Sequence, residues 1–167
     1  MFVRAAVITV SDKGYSGERE DRSGPVLADA LSDMGADVVE RRIVPDAPEQ
    51  IRAVLAELAD RGDIDVITTT GGTGIAPRDR TPEATRAVID YEVPGIAEAL
   101  RFEGFRKTPL AVISRGVAGV RGRCLIVNLP GSAKAVAEGM ETLRAILPHA
   151  VKMVRGEDLE HGEHRHG

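Results

Sequence analysis

Three glycines fall within four residues at Gly71-Gly72-Thr73-Gly74, directly after Thr68-Thr69-Thr70. Glycine admits positive φ and close backbone approach, so successive N–H groups in such a turn can converge on an anion. The segment is not a Walker loop, because no Gly-Lys-Ser/Thr follows at the needed spacing. It is not the dinucleotide fingerprint either, since Gly-x-Gly-x-x-Gly is absent. Asp79 follows within a few residues, then Thr81-Pro82. A plain strand-to-helix turn, with Thr81 as N-cap and Pro82 at the first helical position, explains those last two residues. It leaves Asp79 and Thr73 unexplained. A second carboxylate, Asp46, lies in Pro45-Asp46-Ala47-Pro48-Glu49. That pattern suits a capping box or a catalytic or metal-holding role, and both readings stand. Pro130-Gly131-Ser132 opens a further helix, whose free N–H groups suit a phosphate or need only a serine cap.

These residues need elements to position them. Residues 2–10, 37–44 and 64–70 read as strands, the first as a buried β-branched run. Leu27, Ala30, Leu31 and Met34 give one helical face, ended by Gly35, and Ile51, Val54, Leu55 and Leu58 give another, ended by Gly62. Helices are expected from Pro82 to about Tyr91 and over 96–105. Residues 110–117 and 123–129 read as an antiparallel pair joined by 118–122. A last helix starts near Ser132 and carries Val136, Met140, Leu143 and Leu147. The order implies one α/β domain over residues 1–155: a three-layer, mostly parallel sheet with helices on both faces and one antiparallel strand. Residues 156–167 read as a polar, disordered tail. Its His161, His164 and His166 suit a solvated tail better than a metal site.

In open α/β sheets ligands bind beyond the carboxyl ends of the strands. Those ends carry Ser11-Asp12, Pro45-Asp46, Gly71-Gly72-Thr73-Gly74, Ser114-Arg115-Gly116 and Asn128 to Ser132. The chain is expected to build one polar pocket there, with Arg115 and Lys134 as candidate cations.

Composition removes other classes. The net charge is -4, so no basic field exists to hold a nucleic acid. The five aromatics, Phe2, Tyr15, Tyr91, Phe102 and Phe105, are too scattered for a base-stacking platform. The lone Cys124 excludes an internal disulfide and cysteine-based zinc sites, and it reads as a small core residue. No apolar run nears the ~20 residues that span a bilayer. No signal-peptide cleavage region follows the N-terminal run, so the expected location is the cytoplasm.

Six blocks in order resemble the MogA/MoaB family of molybdenum cofactor biosynthesis proteins, the molybdopterin adenylyltransferases. They are Val7 to Asp12 with Asp21 to Pro25, Val44-Pro45-Asp46, Thr70 to Gly74 with Arg78-Asp79 and Thr81 to Ala84, Glu92 to Gly95, Ser114-Arg115, and Asn128 to Ser132. The resemblance covers about residues 3–150. It implies the molybdopterin-binding fold and transfer of AMP from Mg-ATP to the terminal phosphate of molybdopterin, with release of pyrophosphate. Two essential aspartates of the family fall on Asp46 and Asp79, to which the resemblance assigns catalysis and Mg²⁺. Substrate contacts are expected at Ser11, Asp12, Gly71, Gly72, Thr73, Gly74, Ser114, Arg115, Pro130, Gly131 and Ser132. A homotrimer and hand-over to the metal-insertion enzyme of the pathway are also implied. A molybdopterin carrier or scaffold without transferase activity is the alternative.

Overall fold

The computed structural model describes residues 3–157. Its elements run β1 (Val3–Val10), α1 (Asp12–Ser16), α2 (Ser23–Asp33), β2 (Ala36–Val44), α3 (Pro48–Asp60), β3 (Val66–Thr70) and α4 (Thr81–Val88). Then come β4 (Tyr91–Glu92), α5 (Pro94–Lys107), a 3₁₀ helix (Pro109–Ile113), β5 (Ala118–Arg121), β6 (Cys124–Leu129), α6 (Ala133–Arg144) and α7 (Leu147–Val154). The sheet order is β2-β1-β3-β6-β5-β4, with the first four strands parallel and the β6/β5 and β5/β4 pairs antiparallel. This is the expected α/β class.

Alternation along β1 divides the core. Ala5 and Val7 face one layer, with Leu27 and Leu31 of α2, Val136, Met140 and Leu143 of α6, and Leu147 and Val151 of α7. Ala6, Ile8 and Val10 face the other, with Ile51, Val54, Leu55 and Leu58 of α3 and Ala84 and Val88 of α4. Both faces are covered, which is why β3 and β6 are buried at every residue and β1 from Ala5 onward, with no alternation of buried and exposed positions. Each fully buried Leu or Ile contributes roughly 1.5–3 kcal/mol relative to exposure.

Several expectations change. Residues 110–117 are not a strand. Pro109 starts a 3₁₀ helix whose Thr108 hydroxyl accepts from the Leu110 N–H, and Leu110 and Val112 are 70% and 57% exposed. Apolar composition suggested a strand there, but nothing buries those side chains. The antiparallel pair survives further along, as β5 and β6 joined by Gly122-Arg123, with Gly122 at φ 58. The last helix breaks between Arg144 and Leu147, and Pro148 lies in the first turn of α7. The polar, glycine-containing stretch after β1 holds the short α1, with Ser11 as its N-cap. From residue 158 onward the tail, with its three histidines, lies outside the described residues.

The strand order reverses direction at β1 and β3, because β2 lies on one side of β1 and β6 on the far side of β3. Such a switch point opens a crevice at the carboxyl ends. Ser11 follows β1 and Gly71 follows β3 at that crevice, and Gly131 follows β6 beside them.

Candidate active site

The crevice is lined by two glycine turns in contact. Gly71 sits at φ 102, and a Cβ there would lie 2.3 Å from the Val10 carbonyl oxygen, so no other residue fits without moving backbone. A Cβ on Gly131 would lie 3.3 Å from the Gly71 Cα, which measures how closely the β3 and β6 turns approach. Thr70 Oγ1 donates to the Pro130 carbonyl at 2.7 Å and ties them together.

Thr81 holds the first turn from the other side. It does not cap α4, because the helix begins at Thr81 itself and Arg80 precedes it without a side-chain cap. Its buried hydroxyl instead donates to the Gly71 carbonyl at 2.9 Å, and its N–H donates to the Gly72 carbonyl at 3.1 Å. Behind it, the buried Asn128 amide donates to Thr69 Oγ1 and Thr85 Oγ1, both at 3.0 Å, and accepts from the Val117 N–H at 3.2 Å. Both the nitrogen and the oxygen of that amide have partners, as burial requires.

The carboxylates rest on this frame. Asp46 is not a helix cap either: α3 is preceded by Ala47, with no side-chain bond. Asp46 Oδ2 accepts from the Asp12 N–H at 3.0 Å, and Asp12 Oδ1 accepts from the Asp46 N–H at 2.9 Å. This reciprocal pair joins the ends of β1 and β2. Asp12 also takes the Arg78 guanidinium, Nε at 2.6 Å and Nη2 at 2.9 Å, and that hydrogen-bonded cation holds its carboxyl below the ordinary range. Asp46 moves the other way: burial pushes its pKa up, reinforced by the Asp12 and Asp79 carboxylates nearby. Asp79 Oδ2 accepts from the Ala76 N–H at 3.0 Å. Gly72 and Gly74 leave room for the pair, since Cβ atoms there would lie 3.1 Å from Asp46 Oδ1 and 2.8 Å from Asp79 Oδ2.

Two cavities flank the glycine turns. One, of about 590 Å³, has an apolar wall from α5, the 3₁₀ helix and α6, including Leu100, Leu110 and Ile113, and a polar edge at Thr73, Gly74 and Ser114. The other, of about 470 Å³, is polar, with Ser11, Arg19, Asp21, Arg22, Asp46 and Gly71. Gly72, Asp79, Gly131 and Ser132 border both. No aromatic side chain lines either one among the described residues.

The expected site residues therefore divide. Ser11, Asp46, Gly71, Gly72, Thr73, Gly74, Asp79, Ser114, Pro130, Gly131 and Ser132 border a cavity; Asp12, Arg115 and Lys134 do not. Two hydroxyl groups also serve as caps: Ser11 Oγ accepts from the Gly14 N–H and Ser132 Oγ from the Ala135 N–H, both at 3.0 Å. Sequence reasoning missed Arg19, Asp21 and Arg22 as cavity residues. Asp21 accepts from Thr9 Oγ1 at 2.8 Å and from the Gly24 N–H at 2.9 Å, which brings its loop over the β1 end. The signal for them in the sequence is the charged run Glu18 to Arg22 between β1 and α2.

Comparison with known proteins fits this geometry. A family model described as "Probable molybdopterin binding domain" matches residues 6–149. The chain is 35% identical over 163 residues to the molybdopterin adenylyltransferase of Helicobacter pylori strain J99, covering 96% of this chain and 93% of that one. It is 44% identical over 154 residues to the molybdenum cofactor synthesis protein cinnamon of Drosophila melanogaster. That match takes in 92% of this chain, which spans only 26% of the Drosophila protein. The crystal structure of the molybdopterin biosynthesis enzyme MoaB from Thermus thermophilus superposes with a TM-score of 0.87 at 52% identity, covering 92% of this chain and 97% of that one.

Proposed function

The chain belongs to the molybdopterin-binding domain family of molybdenum cofactor biosynthesis, and from that membership we propose that it is a molybdopterin adenylyltransferase. In the reaction, an oxygen of the terminal phosphate of molybdopterin bonds to the α-phosphorus of ATP. The bond from that phosphorus to the β-phosphate oxygen breaks, and pyrophosphate leaves with the electron pair. The attacking group is already an anion, so no general base is required. What the protein must do is bring two anions together and hold them in line.

The observation that carries the reading is the wall common to both cavities. A transferase needs two substrate sites that meet where the bond forms, and Asp79, Gly72, Gly131 and Ser132 border both spaces. The N–H groups of the glycine turns and the first turn of α6 suit phosphate oxygens. Arg19 and Arg22 stand in the polar cavity among the carboxylates of Glu20, Asp21, Asp46 and Asp79, so a polyphosphate would enter it with a cation. With no aromatic among the described residues of either wall, pterin and adenine are held by backbone, hydroxyl groups and aliphatic side chains.

The donor set fits Mg²⁺ carried in with ATP. Among the described residues no cluster of three or more His, Cys, Asp or Glu side chains could hold a metal alone. Asp46 and Asp79 each keep Oδ1 without a hydrogen bond among the described residues, while Oδ2 is fixed by a backbone N–H. Mg²⁺ characteristically takes one or two carboxylates, several waters and substrate phosphates. Asp79, with Asp46, would hold it there, and when bound it supplies positive charge between the phosphates.

The working protein in this reading is a homotrimer in the cytoplasm, where ATP is available, and its product passes to the metal-insertion enzyme. Phe102 and Phe105 on α5 and Val112 on the 3₁₀ helix are exposed apolar side chains that a second copy would cover. Among the described residues no helix is long and apolar enough to cross a membrane. Purified protein mixed with molybdopterin, ATP and Mg²⁺ is expected to release pyrophosphate and form adenylylated molybdopterin. Binding of molybdopterin with no product would instead favour a carrier. Light scattering on the same sample reads the oligomer.

A further inference from the structure

Arg115 borders neither cavity, yet it grips the loop that carries Asp79 at several points. Its Nε donates to the Gly74 carbonyl at 2.8 Å and its Nη2 to the Asp79 carbonyl at 2.7 Å. Its Nη1 pairs with the Glu83 carboxylate at the start of α4. Its backbone N–H donates to the Thr73 carbonyl at 2.7 Å. The guanidinium is a rigid planar fork, so these partners fix one another's positions. The segment holding Arg115 is itself anchored: Arg101 of α5 donates to the Gly116 carbonyl at 2.8 Å and the Ser114 carbonyl at 3.4 Å.

The loop needs such support. Ile75 to Arg78 are exposed and belong to no helix or strand. Among the described residues the Asp79 carboxylate bonds only within the loop, to the Ala76 N–H. Its direction toward the junction of the cavities therefore follows from where the Asp79 backbone sits, and Arg115 holds that backbone by its carbonyl.

We propose that Arg115, clamped by Glu83, is a positioning residue for adenylyl transfer: it fixes the Gly74–Asp79 loop so that the Asp79 carboxylate faces both substrates, and it touches neither. The proposal rests on the adenylyltransferase reading. Arg115→Met and Arg115→Lys are compared with the wild-type protein by steady-state kinetics and by amide hydrogen exchange. Displacing a catalytic group by about 1 Å costs on the order of 100-fold in rate, so kcat is expected to fall by roughly that factor. KM for ATP and for molybdopterin should change by less than about 3-fold, because no substrate contact is lost. Lysine keeps the charge but not the fork, so Arg115→Lys should fail to rescue kcat. The Ala76 and Asp79 amides should exchange faster in both variants, while β1 amides keep their protection and so report an intact sheet.

A raised KM with kcat retained would mean that Arg115 binds substrate, and the positioning role would fall. Unchanged exchange at Ala76 and Asp79 overturns it as well, whatever the rates. If the wild-type protein forms no product, the adenylyltransferase reading fails by itself, and the exchange measurement still decides whether Arg115 holds the loop.

Discussion

Replacing Gly72 with alanine perturbs the glycine turn at the point where it meets both Thr81 and Asp46. Gly72 sits at φ 66, where a side chain costs about 1 kcal/mol or somewhat more. The new methyl would lie 2.4 Å from Thr81 Oγ1, so that hydroxyl must move off the Gly71 carbonyl it now reaches at 2.9 Å. Losing a buried hydrogen bond with one partner left in place costs about 1–3 kcal/mol. Together these give about 3 kcal/mol, or a fall in Tm of about 6–12 °C for a domain of this size. Thr81→Ala removes the same hydrogen bond, at about 2 kcal/mol, and removes the clashing oxygen too. The double variant should therefore cost about 3 kcal/mol in place of the additive sum of about 5, a coupling of about 2. Urea denaturation of the four proteins measures this directly. Gly72→Ala should also lower adenylyl transfer more than Thr81→Ala, because the methyl stands 3.1 Å from Asp46 Oδ1. Additivity within about 0.5 kcal/mol would refute the shared hydrogen bond as the source of the cost.

Other expectations are simpler to test. Asp79→Asn should abolish adenylyl transfer while molybdopterin binding, read by calorimetry, persists; normal turnover would remove the metal role of Asp79. Burial raises the Asp46 pKa above 3.8, so the native state holds that proton more tightly than the unfolded chain. Its contribution to stability therefore grows as pH falls through the raised value, and its ionised form costs stability near pH 7. Asp46→Asn should leave Tm near pH 7 unchanged or higher while activity is lost, and Mg-ATP should draw the Asp46 titration downward in a carboxyl NMR experiment. A midpoint that Mg-ATP does not move speaks against a cation at Asp46. The buried Cys124 thiol, pushed up to about 12, should resist alkylation near pH 8 until urea unfolds the chain, and rapid labelling of the native protein would contradict its burial.

How much of this was legible in the sequence depended on how far each residue reaches. β1, β3 and β6 are buried on both faces, so their composition alone marks them. The turn is legible at Gly71 and Gly72, where positive φ and, at Gly71, the approach of the Val10 carbonyl leave no substitute for glycine. Asp46 was ambiguous because a capping pattern is local, whereas its actual partner, Asp12, lies 34 residues away. Thr81 misled in the same way: a threonine before proline suggests a cap, but its hydroxyl turns back ten residues to Gly71. Residues 110–117 misled through composition, since apolar side chains mark burial only when another element covers them. Arg115 stands at an expected position but makes a different contact, because charge does not reveal whether a guanidinium faces a ligand or a loop.

If each cavity takes one substrate, the wall common to both carries an expectation for kinetic order and product release. Neither substrate reacts until the other is seated, so initial-rate plots should intersect, as in a sequential ternary-complex mechanism, and not run parallel as in ping-pong transfer. The adenylylated product is then expected to straddle both chambers. A molecule tethered in two sites at once escapes only when both halves let go, because each half keeps the other at high effective concentration. On this two-site reading, product dissociation is expected to be the slow event of the cycle, and a burst of pyrophosphate in the first turnover would report it.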